Sequence, residues 1–358
     1  MERKLATIRK IDNLEPIIGK DLIELATLDG WQAIVKRGEY NVSDLVVYCE
    51  IDSFLPVKEE YEFLRSRCFK STKNLGDGFR IKSMKMGGIL SQGLVLPLGS
   101  AIDASGNPLR VWSIGDDVTE LLGIQKYEKP IPANLAGKVR GNFPNFIPKT
   151  NQERIQNCFR TLQNNWMDYT WERTLKLDGS SMTIYCNLEE VEHESYGIIW
   201  QWVEGVCSRN LDLKIEGNDG NAFVELWKQL HGSIYHYCIS HDRPLAFQGE
   251  LCGSGIQNNR ERLAEHTFFC YDIFDITKQE YLTAPERQSI CKELNISHCP
   301  DLGNIKFGGE IMIRDLLNAS DIPSLNNPIA EGIVYKSIEN PSISFKCINN
   351  RFLIQSEE

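Results

Sequence analysis

The chain has 358 residues, of which 42% are apolar and 25% are charged, and this composition excludes a fibrous, collagen-like or mainly disordered protein. Single hydrophobic cores seldom grow beyond about 250–300 residues, so the length favours two domains. The formal net charge of −10 argues against a surface coated for nonspecific nucleic-acid binding, but not against a local basic groove, because binding follows the local potential.

Neither a membrane span nor a secretory signal is predicted. No apolar run reaches the roughly 18 residues that a membrane helix needs, and the N-terminus has no apolar h-region. The eleven cysteines are scattered, without a Cys-x-x-Cys pair, which is typical of reduced thiols. We therefore expect a cytoplasmic protein, nucleocytoplasmic if its source is eukaryotic, that is not secreted and has no membrane partner.

Residues 1–125 are predicted to be rich in β-strands. Short apolar segments at residues 22–26, 31–35 and 45–49 are separated by turns that contain glycine. Closely spaced strands of this kind favour a small barrel, and an OB-like barrel suits the length. We expect this segment to form an OB-like nucleic-acid-binding domain.

A proline-rich passage follows, and the pattern changes after it. The prolines predict a linker over residues 126–148. In residues 149–358 strands and helices are mixed: residues 222–230 favour a helix, whereas residues 182–186 and 268–271 favour strands. The sequence therefore predicts an α+β protein with two domains.

Positive charge is concentrated between residues 65 and 85, where seven cations stand against one acid, Asp77. A solvated loop is one interpretation of such a stretch. A surface that follows phosphates is the other, and Phe69 and Phe79 favour it because bases stack on aromatic rings. The residue pattern leaves both interpretations open.

The clearest chemistry lies in the segment that contains Lys176, Asp178 and Gly179. Alone, Lys-x-Asp-Gly is a weak pattern, because an exposed lysine before an Asp-Gly hairpin turn gives the same letters. It gains weight from an ordered series of segments downstream. These are Ser208-Arg209-Asn210, Phe247-Gln248-Gly249-Glu250-Leu251-Cys252-Gly253, Phe268-Phe269-Cys270-Tyr271-Asp272-Ile273, Glu331-Gly332-Ile333-Val334-Tyr335-Lys336 and Ser344-Phe345-Lys346.

This series resembles motifs I, Ia, III, IIIa, IV and V of the covalent nucleotidyltransferases, the superfamily of polynucleotide ligases and mRNA capping enzymes. The resemblance spans residues 176–346. It implies that residues 149–358 form an ATP-grasp-like nucleotidyltransferase (adenylylation) domain, built of antiparallel sheets flanked by helices. It also implies ATP and Mg²⁺ or Mn²⁺ as cofactors.

The residue types suit nucleotidyl transfer. A lysine that attacks the α-phosphorus must be neutral, and lowering a pKa of about 10.4 by about 3 units requires roughly 4 kcal/mol of selective destabilisation of the ammonium. A divalent cation and a neighbouring cation such as Lys346 can supply it by repulsion. Carboxylates are the donors that Mg²⁺ prefers, and Arg and Lys neutralise phosphate charge.

By resemblance, Lys176 is the nucleophile that becomes lysyl-AMP. The implied metal ligands are Asp178, Glu250 and Glu331. Glu250 is alternatively a ligand of the ribose hydroxyls, and Tyr271 would stack on adenine with Val334 closing its other face. The nucleotide-binding residues are in full Thr174, Leu175, Lys176, Asp178, Ser181, Arg209, Glu250, Tyr271, Val334, Lys336 and Lys346.

The last motif departs from the pattern of many ligases. They carry Lys-x-Lys there, whereas Lys346-Cys347-Ile348 offers one lysine. Whether Arg351 compensates is left open by the sequence.

The order of the domains narrows the resemblance. Only 12 residues follow Lys346, too few for the OB domain that capping enzymes and most DNA ligases carry there. With the β-rich module in front, the chain resembles the Deinococcus-type RNA ligases, also found in Naegleria. The run from Pro148 to Asn157 resembles a signature just before the ligase domain of that family.

This narrower resemblance implies ATP-dependent sealing of 3′-OH and 5′-phosphate ends of RNA or nicked RNA/DNA duplexes, with ribose on the 3′-OH side. A protein can sense such a ribose through its 2′-OH and the A-form shape. We expect Arg80, Lys82 and Lys85 of the basic stretch to bind the nucleic acid. Protein partners and oligomeric state are not predicted.

Two other classes stay open from the sequence: a DNA ligase or another covalent nucleotidyltransferase, and a noncatalytic nucleic-acid-binding protein with an inactive ligase domain. A cluster of His231, His236, Cys238 and His241 matches the spacing of no usual zinc module. We therefore expect structural or surface histidines there.

Overall fold

The computed structural model describes residues 4–72, 74–86, 89–101, 112–127, 137–193 and 197–356, without the side chains of residues 191–193, 197, 198 and 356. The chain forms two compact units, residues 1–131 with 353–358, and residues 132–352.

The first unit is built of short antiparallel strands. The strands are β1 (Ala6–Lys10), β2 (Asn13–Ile17), β3 (Lys20–Leu28), β4 (Trp31–Lys36), β5 (Leu45–Cys49), β6 (Ser53–Pro56), β7 (Phe69–Thr72), β8 (Gly76–Arg80), β9 (Met84–Met86), β10 (Ile89–Ser91), β11 (Leu94–Pro97) and β12 (Gln125–Lys126), with helix α1 (Arg65–Cys68) before β7. They pair in the orders β1-β5-β11, β2-β3-β4, β12-β6-β8-β7 and β9-β10.

Strand β5 explains how this unit is held together. Its side chains point alternately into two apolar clusters: Val47 and Cys49 into one, Val46 and Tyr48 into the other. A strand buried on both faces carries a continuous apolar run, which is the pattern of residues 45–49.

The second unit contains two larger sheets and the longer helices. Its strands are β13 (Val139–Asn142), β14 (Glu153–Arg154), β15 (Thr170–Lys176), β16 (Ser180–His193), β17 (Gly197–Ser208), β18 (Leu211–Leu213), β19 (Leu245–Cys252), β20 (Thr267–Asp275), β21 (Glu280–Tyr281), β22 (Asp301–Lys306), β23 (Gly332–Ser337) and β24 (Ser344–Ile348). Its helices are α2 (Ile155–Thr161), which a π-helical turn continues over Leu162–Trp166, α3 (Ala222–Ser240), α4 (Ala284–Glu293), α5 (Ile313–Ala319) and α6 (Asn350–Ser356).

The two sheets have the orders β13-β18-β17-β16-β19-β20-β21 and β14-β24-β23-β15-β22. Helix α3 packs on one face of the seven-stranded sheet, where Val224 and Ile234 join the core residues Ile184 and Phe247. All described strand pairs are antiparallel except β14 with β24. The expected antiparallel sheets flanked by helices are thus confirmed, apart from this one short parallel pair.

Two segments differ in extent from the sequence-based expectation. Helix α3 runs past residue 230 and through Gly232, because Ile234, Tyr237 and Cys238 continue its buried face. In the predicted linker 126–148, strand β13 pairs with β18 and belongs to the seven-stranded sheet. Residues 128–136 of that linker lie outside the described residues.

All eleven cysteines are free and buried. None of the helices in the described ranges combines the length and the apolarity that crossing a bilayer requires.

Candidate active site

The predicted nucleophile lies where strands β15 and β23 meet. Lys176 ends β15 opposite Gly332, the first residue of β23, so Glu331 comes just before the pair. The Lys176 Nζ donates to Glu331 Oε2 at 2.7 Å, and both side chains are about one-fifth exposed. Residue 332 must be glycine, since a Cβ there would collide with the carbonyl oxygen of Cys347.

The amine of Lys176 is held as an ammonium in this arrangement. Burial alone would lower its pKa, but the charges of Glu331 and Glu250, the hydrogen bond to Glu331 and a smaller effect of Asp178 outweigh burial and raise it. The protein groups alone therefore do not produce the neutral amine that attack on phosphorus requires.

The three predicted metal-binding carboxylates, Asp178, Glu250 and Glu331, lie close enough for their charges to interact. Burial, with the Glu331 charge, raises the pKa of Asp178 to about 6, and burial raises that of Glu250 to about 7. Such carboxylates repel one another, and a divalent cation would relieve that repulsion. Across the described ranges, however, no three acidic, His or Cys side chains are arranged as ligands of one metal ion. The donor chemistry fits Mg²⁺, which retains several of its waters, better than a cage made of protein ligands alone.

Asp178 is held by a loop that the sequence did not point to. Its Oδ2 lies 3.6 Å from Arg260 Nε, and its backbone N–H donates to Glu261 Oε1 at 3.4 Å. Glu261 is buried and accepts a hydrogen bond from Ser324 Oγ at 2.6 Å. Consecutive residues of one loop thus hold the side chain and the backbone of Asp178.

A group of cations lies in the field of Lys176 as well. Burial, with repulsion from Lys176, Arg154 and Arg209, lowers the pKa of Lys346 to about 7. The parallel pair of β14 and β24 places Arg154 beside Lys346. Arg209 follows β17, is exposed, and has no side-chain partner in the described part of the chain.

The structure shows which arginine lies beside Lys346, the single lysine of the last motif. Arg351 is exposed and pairs with Asp321 at 3.1 Å, outside the cation cluster. Arg154 is the arginine beside Lys346 instead. Arg154 lies in the run from Pro148 to Asn157, which resembles a family signature. The sequence does not show, however, that this arginine lies beside Lys346.

The predicted base-binding residues come from both sheets. Thr174, Val334 and Lys346 form one row across β15, β23 and β24, and directly opposed residues share a face. Tyr271 is the extra residue of a bulge in β20, since Cys270 and Asp272 have successive partners in β19.

The Tyr271 ring is anchored at its hydroxyl. That oxygen lies 2.9 Å from Thr150 Oγ1, and Ser181 also hydrogen-bonds to it. Ser181 in turn is directly opposite Glu250. The Leu175 side chain is buried in an apolar cluster, and its backbone N–H donates to the Pro300 carbonyl at 2.9 Å.

Lys336 lies deeper than a phosphate-binding residue would. Its Nζ contacts Asp272, and both side chains are more than nine-tenths buried. Asp272 also lies 3.8 Å from Arg287, which is fully buried and donates twice to Glu172 at 2.6 Å. We therefore describe Lys336 as part of a buried ionic network.

The predicted nucleic-acid-binding residues of the first unit have different surroundings. Arg80 pairs with Asp52 at 2.7 Å and lies over the Tyr127 ring, 4.4 Å from its centroid. Lys82 is exposed and Lys85 is half-buried. Arg65 covers the Phe69 ring at 4.5 Å, so cations and aromatic rings do alternate on this unit.

The histidines of α3 have structural contacts. His231 stacks on Trp227 with ring centroids 4.1 Å apart and lies 3.2 Å from Glu204, while His241 stacks on Tyr237. The rings of His231 and His241 are thus packed on aromatic neighbours, whereas His236 is exposed.

Comparisons with known proteins agree on both units. A model of an OB-fold domain matches residues 5–98, and a model of the RNA ligase family matches residues 170–349. A search of curated proteins finds no match.

Solved structures of Naegleria gruberi RNA ligase are similar over nearly the whole chain. One mutant with AMP and Mn has 37% sequence identity and a TM-score of 0.77, with 99% of each chain covered. A second mutant, with ATP and Mn, has 37% identity and a TM-score of 0.77, covering 98% of this chain and 99% of that one. A structure with PPi has 38% identity, the same TM-score and 99% coverage of each chain.

Proposed function

Since the chain belongs to the RNA ligase family, we propose that it seals nicks in duplexes whose 3′-OH strand ends in a ribonucleotide. The chain is an ATP-dependent RNA ligase that works through adenylylation and uses a divalent metal ion. The observation that carries the site assignment is the pairing of Lys176 with Glu331 at 2.7 Å, between a group of carboxylates and a group of cations.

The proposed reaction has three transfers. The Lys176 Nζ attacks the α-phosphorus of ATP, forming a phosphoramidate while the bond to pyrophosphate breaks. The 5′-phosphate of the nick then attacks the same phosphorus and releases the lysine. Finally the 3′-hydroxyl attacks the 5′-phosphorus, the phosphodiester forms, and AMP leaves.

Deprotonation of Lys176 is the step that the free protein opposes, because its carboxylates favour the ammonium. A divalent cation held by Asp178, Glu250 and Glu331, through its waters or directly, would cancel that negative field and draw charge from the phosphate. Lys346 lies in the field of Lys176, and repulsion between the two ammonium groups favours the neutral form of one of them.

Three cations are proposed to bind the phosphates. Arg209 is exposed at the end of β17, Lys346 lies in the row that faces the site, and Arg154 lies beside it. Because Arg154 supplies a fixed positive charge next to Lys346, we propose that it takes the place of the second lysine of the motif.

The adenine is proposed to lie between Tyr271 and Val334, with Thr174 at its edge. An aromatic ring on one face and an aliphatic side chain on the other exclude water from the base. The hydrogen bond of Tyr271 with Thr150 at 2.9 Å supports this placement, because it fixes the ring from its far end.

The first unit is proposed to bind the nucleic acid through its basic stretch. Lys82 is exposed, and Arg80 and Arg65 lie over aromatic rings. Arginines held on aromatic rings, together with an exposed lysine, place positive charge on the surface, where the phosphate backbone of a duplex can bind.

The test is end joining on two nicked duplexes that differ only in ribose or deoxyribose at the 3′-OH residue. We expect efficient sealing of the ribose nick and accumulation of the adenylated 5′ end on the deoxyribose nick. Equal sealing of both would indicate a DNA ligase. Failure to label the protein with ATP at all would contradict the assignment of the site.

A further inference from the structure

One edge of the seven-stranded sheet carries a group of cations, of which Arg209 alone has a role in the reaction proposed above. Strand β13 is the edge strand there, and among the described strands it pairs with β18 alone. Exposed cations surround it, and we name the group the β13 cationic edge. Its members are Lys138, Arg140, Lys149, Arg209 and Lys214.

The Arg140 side chain of this edge lies on the same face of the sheet as Glu250. Ser181 is opposite Glu250, and Tyr185 shares the face of Ser181 because side chains alternate along β16. The Arg140 Nη1 lies 3.3 Å from the Tyr185 hydroxyl and 3.9 Å from Asp212 on β18. Arg140 therefore lies on the face of Glu250, opposite the face covered by α3.

One end of the edge reaches the loop that carries Arg209. The Lys149 Nζ donates to Asn210 Oδ1 at 3.2 Å, and the Phe143 N–H donates to the Asn210 carbonyl at 2.8 Å. Lys149 also lies 5.9 Å from the centroid of the Phe143 ring. At this end, cations and an aromatic ring adjoin the phosphate side of the active site.

The other end is formed by Lys138 and Lys214. The Lys214 N–H donates to the Lys138 carbonyl at 3.0 Å, which places the two residues side by side. In the described part of the chain, neither side chain has an ion pair or a hydrogen bond. At about 3.3 Å per strand residue, Lys138 and Asn142 are about 13 Å apart, a distance over which one nucleic-acid strand carries several phosphates.

Fewer acids than cations lie along this edge. Asp212 is buried 3.9 Å from Arg140, and burial, with a smaller effect of the Glu189 charge, raises its pKa. Asp219 is paired with Lys228 at 3.0 Å. Glu216 is exposed, and the five cations outnumber Asp212, Glu189 and Glu216.

We propose that the β13 cationic edge binds the phosphate backbone of the nicked duplex and leads one strand away from the nucleotide site. The proposal rests on the function proposed above. It adds a nucleic-acid surface on the second unit to the basic stretch of the first.

Edge protection is the competing explanation, because native sheets often carry lysines on edge strands to prevent pairing with other chains. The two explanations differ in what they predict for Lys138 and Lys214. Phosphate binding predicts a loss of nick affinity with a smaller salt dependence, whereas edge protection predicts self-association with unchanged affinity.

The experiment compares two double variants of the full chain, K138A/K214A and K292A/K306A. Lys292 and Lys306 match the first pair because both are exposed and, among the described residues, neither side chain has an ion pair or a hydrogen bond. Lys306 also lies on β22, itself an edge strand. Nick binding is measured by fluorescence anisotropy on a non-adenylatable duplex across a salt series. Labelling with ATP alone reports whether each variant has an intact site.

For K138A/K214A we expect weaker binding whatever the nick sequence, with the slope of log K against log salt reduced by about 1 to 2. For K292A/K306A we expect the wild-type slope. Equal slopes and affinities in both variants, with labelling by ATP retained, would overturn the proposal while leaving the proposed function standing. Self-association of K138A/K214A with wild-type affinity would assign the lysines to edge protection and overturn it as well.

Discussion

At the scale of single residues, the site is a balance between Lys176 and the carboxylates around it. The same negative charges that suit a divalent cation keep the amine protonated. Asp178 and Glu250 in turn hold their protons more tightly than exposed acids, with pKa values raised to about 6 and about 7. If these carboxylates hold the divalent cation as proposed, proton release and cation binding are coupled.

This coupling predicts the pH dependence of metal binding. Below about pH 7 Glu250 is mostly protonated, so a cation must displace a proton, and Mn²⁺ affinity should fall as pH falls from 8 to 6. Calorimetric titration with Mn²⁺ in buffers of different ionisation enthalpy should show proton release near pH 6.5, and Glu250→Gln should reduce it. An affinity that does not change between pH 6 and pH 8 would contradict the pKa values.

The sequence predicted the charged residues of the site better than their contacts. Lys176, Glu250 and Glu331 belong to ordered motifs, and the structure brings them into one field. Lys336 belongs to a motif as well, but its pairing with buried Asp272 depends on packing between sheets. Arg260 could not be predicted, because its contact with Asp178 joins segments 82 residues apart.

At the scale of elements, the segment before β14 holds two motif strands in place. The Gln248 Nε2 donates to the Pro148 carbonyl at 2.8 Å, and Thr150 bonds with Tyr271 at 2.9 Å. The run from Pro148 to Asn157 resembles a signature of the family, but its sequence does not indicate a role. Its contacts with β19 and β20 supply one.

Thr150→Val tests this role. A net hydrogen bond contributes about 0.5–1.5 kcal/mol, so KM for ATP in lysine adenylylation should rise about 2- to 10-fold. Thr150→Ser keeps the hydroxyl and should restore KM. Because the effect passes through the Tyr271 hydroxyl, Thr150→Val should add nothing in a Tyr271→Phe background. Additive effects in the double variant would contradict the assignment.

The buried ionic network joins β15, β20, β23 and α4. Arg287 donates to Glu172 and neighbours Asp272, and all three side chains are nearly inaccessible. Removing one partner leaves buried charges without compensation, so Arg287→Ala should cost about 3–5 kcal/mol of unfolding free energy in urea. Arg314→Ala, which removes an exposed arginine, is the control. A change in Arg287→Ala as small as in the control would contradict the role of the network.

At the scale of the whole molecule, two differently built units share one chain. The first holds its strands together around β5, and the second has two larger sheets with helices. The spacing of apolar residues predicted that the first unit is rich in strands and that the second mixes strands and helices. It could not place β13, because a four-residue exposed strand leaves no apolar pattern and is defined by its hydrogen bonds with β18.

The cysteines give a prediction for the entire fold. All eleven are free and buried, and burial raises the pKa of thiols such as Cys49, to about 12. Buried thiols with raised pKa values are unreactive. A thiol reagent at pH 8 should therefore titrate few groups in the native protein and all eleven in denaturant, without prior reduction. Rapid native labelling of many thiols would contradict this burial.

The most direct test of the account is to find the atom that carries the nucleotide. After incubation with ATP and Mg²⁺, mass spectrometry of the intact chain should show one added AMP, and peptide mapping should place it on Lys176 through an acid-labile P–N bond. Lys176→Met should show no adduct. An adduct on another residue, or one that persists in Lys176→Met, would contradict the assignment of the nucleophile.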